Sequence, residues 1–102
     1  MNRRAILRCV RLENRVRQAV DDAIQKWIRT EIAWNAVEWT LIHDPNCGVP
    51  VHESGMFRAF AFDGAKSVGW PDIRVIYEVT KELIIIHDAT FEDPKTHKAG
   101  HA

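Results

Sequence analysis

His43, Cys47 and His52 form the first group whose residue types suit a metal ion. A structural zinc site needs four ligands in tight pairs, and the chain has no Cys-x-x-Cys. Asp44 and Pro45 already account for a turn at this place, so neither a metal nor any other cofactor is expected. Gly64 and Gly69 do not make a phosphate-cradling loop, because no helical pattern comes after them. Ser54 and Ser67 stand in no triad context. Cys9 and Cys47 are too few for a disulfide framework, and each reads as a small core or loop residue rather than a nucleophile. The side chains left with chemical potential lie in the C-terminal half: Arg58, Lys66, Arg74, Tyr77 and His87. What they can do depends on the elements that hold them.

Those elements belong to a chain of 102 residues, a length that suits one domain. Apolar residues make up 46%, which is enough for a packed core. Basic and acidic residues balance at 14 each, without the surplus usual in a nucleic-acid binder. That argues against RNA or DNA binding over the whole surface. The balance hides an asymmetry: residues 1–30 are basic and residues 78–94 acidic. Two such ends meet in the fold, serve different partners, or are simply solvated faces. Met1-Asn2-Arg3-Arg4 is basic, but Arg8, Arg11 and Glu13 break up the adjoining stretch. No signal-peptide core and no run of membrane-spanning length is read, so a cytoplasmic protein with reduced thiols is expected.

Residues 5–10 suit a short strand or a first helical turn, and six residues do not decide between them. Leu12, Val16, Ala19, Val20, Ala23, Ile24, Trp27 and Ile28 recur at three- and four-residue steps, which predicts one face of a helix. Thr30 is placed to cap a second helix with Ala33, Ala36, Val37, Thr40 and Leu41 on one face, ending at Asp44-Pro45. Trp34 and Trp39 fall off that stripe, so this helix is expected to be buried on more than one side. The period then changes. Residues 57–62 read as a strand, 63–72 as a long turn, 73–79 as an alternating strand and 83–87 as an apolar central strand. The expected fold is α+β: a short N-terminal strand and two helices packed on a C-terminal antiparallel meander sheet of three to four strands. One domain is expected over 1–93, with a flexible polar tail over 94–102.

With its elements in this order, the chain resembles the RelE/ParE superfamily of bacterial toxin–antitoxin toxins over about residues 5–93. Asp44-Pro45-Asn46-Cys47-Gly48-Val49-Pro50-Val51 is similar to the link leaving that family's second helix. Ser54-Gly55-Met56-Phe57-Arg58 is similar to the entry into its first meander strand. Asp72-Ile73-Arg74-Val75-Ile76-Tyr77-Glu78-Val79 is similar to its most recognisable strand.

The resemblance implies a chemistry. A ribosome-dependent nuclease of this family cleaves mRNA without a metal, by attack of the 2′-hydroxyl on the adjacent phosphate. That needs a base, an acid for the leaving 5′-oxygen, and cations for the charge building on phosphorus. Arg74 matches the family's catalytic or phosphate-binding arginine, whose planar fork grips two phosphate oxygens. Arg58, on the neighbouring strand, would extend the cationic patch as a second catalytic residue. Lys66 and Tyr77 are the implied RNA contacts, although Tyr77 equally suits core packing and Lys66 a solvated turn. Alternation puts Arg74 and Ile76 on one face, opposite Ile73, Val75 and Tyr77. His87 reads as a satisfied strand histidine rather than a catalyst. The chain also departs from the family. Its last strand leads into Ala89-Thr90-Phe91-Glu92-Asp93, whose acids repel phosphate, where family nucleases carry a cation or Tyr. Ala59 and Ala61 stand where some members have lysines.

Three functions therefore stay open: an mRNA endoribonuclease, a non-catalytic ParE-type inhibitor of DNA gyrase, and an inactive toxin-fold module that binds protein. Each implies an antitoxin partner, with a hydrophobic groove beside the helices to receive it. The ribosome with its mRNA, or gyrase, would be the target. No membrane partner is expected, and an exposed sheet edge would permit a homodimer.

Overall fold

The computed structural model describes residues 9–94. Residues 1–8 and 95–102 lie outside the described residues, and with them Arg3, Arg4, Arg8 and the expected tail beyond Pro94. The elements are β1 (Cys9–Leu12), α1 (Asn14–Lys26), α2 (Thr30–His43), β2 (Val49–Pro50), β3 (Phe57–Phe62), β4 (Asp72–Val79) and β5 (Leu83–Glu92). A single 3-10 turn, Lys66–Val68, lies between β3 and β4. The sheet runs β1-β5-β4-β3-β2. β1 pairs parallel with β5, and every other pair is antiparallel.

The α+β class and the order of elements are as expected. The sheet differs: it is mixed and five-stranded rather than an antiparallel meander. Both helices separate β1 from the strands it joins, and that long crossover is what permits a parallel pair. No helix among the described residues is long and apolar enough to cross a membrane.

Both helices cover the same face of the sheet. Val16 and Ala23 of α1, with Ala33, Trp34, Val37 and Leu41 of α2, pack with Ile73, Val75, Tyr77, Ile84, Ile86 and Ala89. Full burial of a side chain such as Leu41 or Ile84 contributes about 1.5–3 kcal/mol. Trp34 is buried as expected of a helix covered on more than one side, but Trp39 is 61% exposed. Thr30 also corrects an expectation. It is the first residue of α2, and Arg29 occupies the capping position without a side-chain bond. The buried Thr30 hydroxyl instead lies 3.0 Å from the Ala23 carbonyl and 2.8 Å from that of Trp27. Its single proton adds a second bond to one of these two carbonyls, which already accept the backbone N–H of Trp27 and of Thr30 itself.

The β4–β5 register breaks once. Ile76 faces Asp88 but Tyr77 faces Ile86, so His87 is an extra residue in β5. This bulge lets Ile84 and Ile86 before it, and Ala89 and Phe91 after it, all pack into the core. It also explains why the last strand runs to Glu92 rather than ending at His87. The shift of parity hides the alternation from the sequence.

Candidate functional site

Directly opposed residues on neighbouring strands share a face of the sheet, so the β3–β4 register decides where the arginines go. Arg58 is opposite Tyr77, and Arg74 is opposite Ala61. Tyr77 is 0% exposed beneath the helix-side core, whereas Arg74 and Ala61 are exposed. Arg58 and Arg74 therefore lie on opposite faces. The expected two-arginine patch does not form, because the strands are adjacent but their parity differs.

Arg58 has a different task. Its Nη1 donates to the carbonyls of Asn46 at 3.1 Å and Gly48 at 2.8 Å, and its Nε donates to that of Gly55 at 3.2 Å. One guanidinium thus ties together the loops on both sides of β2. Beside it, the Tyr77 hydroxyl donates to the Pro45 carbonyl at 2.7 Å and accepts from the Gly48 N–H at 3.0 Å. A Cβ on Gly48 would lie 2.6 Å from the Ala59 carbonyl oxygen and 2.7 Å from the Tyr77 hydroxyl. Only glycine lets the loop come this close. Tyr77 packs the core and is closed to RNA, which corrects the expected contact. Burial pushes its phenol up to about 12, so it remains a donor.

Lys66 is exposed at the start of the 3-10 turn, as a loop cation. It lines a cleft of about 130 Å³ with Trp27, Trp70 and Asp93, apart from Arg74. Asp93 there accepts from the Trp27 indole at 3.0 Å.

Arg74 opens onto the sheet face that the helices leave bare. It borders a depression of about 450 Å³ whose apolar floor includes Val49, Ala59, Ala61 and Ile76, with Asp88 and Thr90 beside it on β5. Glu92 approaches the Arg74 guanidinium at 3.7 Å, and both side chains are about half exposed. A pair of that length in water is worth no more than about 1 kcal/mol. Ala59 and Ala61 create the hollow because they are short in a row otherwise built of larger residues.

Further along the same face stands a group that reading along the sequence did not assemble. His87 Nδ1 lies 2.8 Å from Glu13 and its Nε2 lies 2.9 Å from Glu78. A neutral imidazole has one N–H, and a carboxylate donates nothing, so satisfying both bonds requires the imidazolium. Desolvation lowers the pKa of His87, but the bonds and charges of Glu78 and Glu13 outweigh it and the net shift is upward. Phe57 covers one side, its ring centroid 5.7 Å from that of His87. With both nitrogens engaged, His87 is a strut rather than a base. It joins the start of α1 to β4 and β5, which explains why Glu13 precedes α1 without capping it.

This has a pH consequence. A histidine whose folded pKa is raised stabilises the fold fully below its unfolded value of about 6.5, and that stability is lost as pH rises through the folded value. The melting temperature of wild type should exceed that of His87→Gln most near pH 6, with the gap shrinking as the pH rises through the raised folded value. Near pH 6, where the imidazole is protonated and both carboxylates are ionised, the bonds are worth about 1–3 kcal/mol. A gap that widens with pH would overturn this reading.

His43, Cys47 and His52 do not converge. His43 stacks on Trp39 and its Nδ1 lies 2.8 Å from the Trp39 carbonyl, while His52 bonds Ser54. Among the described residues no group of three potential ligands is gathered for a metal. Cys47 is free and exposed, yet local desolvation raises its pKa, the reverse of what a nucleophilic thiol requires.

The fold and site define a small α+β protein with helices on one sheet face and a shallow, mainly apolar hollow on the other. Compared with protein-family models, with characterised proteins and with solved structures, the chain matches none.

Proposed function

We propose that this chain acts by binding a protein partner on its open sheet face, as a non-catalytic toxin-like component paired with an antitoxin. The observation that carries this reading is the hollow of about 450 Å³ over Ala59, Ala61 and Ile76, on a sheet face bare of helices. Its size and apolar floor suit side chains of an amphipathic segment, with Arg74 and Asp88 available to polar groups at the rim. The toxin comparison draws support from the order of strand, two helices and three-strand meander. It draws none from an arginine pair, since Arg58 serves the other face. The gyrase-directed branch fits this reading, because it needs no phosphate site.

The ribonuclease alternative keeps one argument: Arg74 is half exposed and only loosely held by Glu92. Cleavage at this site would also need a base and an acid, and His87 has both nitrogens occupied.

Inducible expression in bacteria tests the proposal, with RNA ends mapped during arrest. The expected result is growth arrest with intact mRNA, reduced at least tenfold by Ala61→Trp, which fills the hollow from an exposed position. mRNA cleavage that Arg74→Ala abolishes would replace this reading with the nuclease. No arrest, with or without the variant, would remove the toxin component.

A further inference from the structure

We infer that the open sheet face docks on the same face of a second copy, so that two chains cover each other's hollow. This rests on the reading of that face as a protein-binding surface, and it names the occupant taken when no other partner is present. The strand register carries it. Val49, Ala59, Ile76 and Asp88 are opposed in turn across β2, β3, β4 and β5, so they form one row across the open face. Two residues along the strands to one side stand Ala61 and Arg74, opposed to each other. Two residues to the other side stand Phe57 and Glu78, also opposed. The outer rows are thus each about 7 Å from the central one, twice the rise per residue. A half-turn about an axis lying along the central row keeps every residue over its own strand and exchanges the outer rows. It sets Phe57 of each copy over Ala61 of the other, and Arg74 of each over Glu78 of the other.

Both matches are complementary, and that identifies the occupant. Ala59 and Ala61 leave the hollow of about 450 Å³, while Phe57 is a large apolar side chain as far from the axis as Ala61 is. Sheets packed face to face stand about 10 Å apart, so a Phe on one fills the space over an Ala on the other. The charges match as well. His87 brings one positive charge to the two negative charges of Glu13 and Glu78, which leaves 1 − 2 = −1. Arg74, approached by Glu92 only at 3.7 Å, brings the opposite charge from the other copy. Symmetry makes each match twice. With 14 basic and 14 acidic residues, the two copies carry no net charge to repel each other. The axis sets one charged residue against itself: Asp88, exposed at the β5 end of the central row. Two such faces would bury on the order of 1,000 Å² in total, at the low end of specific interfaces, so the dimer is weak and yields to a tighter partner.

Sedimentation velocity on the full chain at pH 7, from about 1 to 300 μM, tests the inference. Wild type should pass from monomer to dimer across that range. Phe57→Ala, Ala61→Phe and Arg74→Glu should each weaken the dimer at least tenfold while leaving circular dichroism unchanged. In the Phe57→Ala, Ala61→Phe double variant the ring and the hollow change places, and affinity should return to within about threefold of wild type. Asp88→Asn should tighten the dimer about two- to fivefold, a gain that damage to the fold does not produce. A monomer at every concentration would overturn the inference, and growth arrest in cells would then leave the proposed function standing. A dimer indifferent to Phe57→Ala and Arg74→Glu, or a double variant no tighter than its single parents, would also overturn it. A dimer that responds as expected, from a chain that arrests nothing, would uphold the inference and remove only the toxin component.

Discussion

Tyr77→Ala is expected to lower the free energy of unfolding by roughly 3–5 kcal/mol, the range for emptying a packed aromatic site. The ring is fully buried between α2 and the sheet, among Leu41, Val75 and Ile86 in one core. Its hydroxyl is the junction of the loop after α2, bonding Pro45 and Gly48 together. Tyr77→Phe separates the two contributions. It keeps the ring and leaves the Gly48 N–H and the Pro45 carbonyl without their partner, at a cost of about 1–3 kcal/mol. Urea unfolding at pH 7 measures both. A Tyr77→Phe protein within about 0.5 kcal/mol of wild type would mean that water replaces the hydroxyl and that it does not hold the loop.

Arg58→Ala is expected to cost about 2–3 kcal/mol, from charge-assisted bonds to carbonyls that lose their shared donor. Arg58→Lys should recover less than half of that. An ammonium is a compact point charge and cannot span the Asn46, Gly48 and Gly55 carbonyls as a planar fork does. The loss should be local as well as global, so proteolysis between residues 44 and 57 should speed up before the core opens. An Arg58→Ala protein of unchanged stability would contradict this structural role.

Much of the architecture was legible because hydrophobic period reports which face of an element is buried. Of the stripe read from Leu12 to Ile28, the part from Val16 to Ile24 matches a buried helix face, as do the stripe from Ala33 to Leu41 and the alternation from Ile73 to Val79; Leu12 instead belongs to β1, and Ile28 lies beyond α1 and is 87% exposed. Pairing was less legible. Nothing in residues 9–12 announces that they run parallel to residues 83–86. The arginine pair misled for a related reason. Strand neighbours share a face only when register and parity agree, and parity across the β3–β4 turn depends on how residues 63–71 fold. The 3-10 turn and the Ala65–Trp70 bridge set it. The His87 cluster was hidden by the bulge, and by a separation of 74 positions between Glu13 and His87. A carboxylate placed directly before a helix without capping it would have been the only local signal.

The separation of the two arginines can be measured directly, by urea unfolding of Arg58→Ala, Arg74→Ala and the double variant. Arg58→Ala should lose about 2–3 kcal/mol and Arg74→Ala less than about 0.5, with the double variant equal to their sum within about 0.5. A loss at Arg74 as large as that at Arg58, or a double variant more than about 1 kcal/mol from additivity, would show the two guanidinium groups acting on one surface and would contradict the two-sided arrangement.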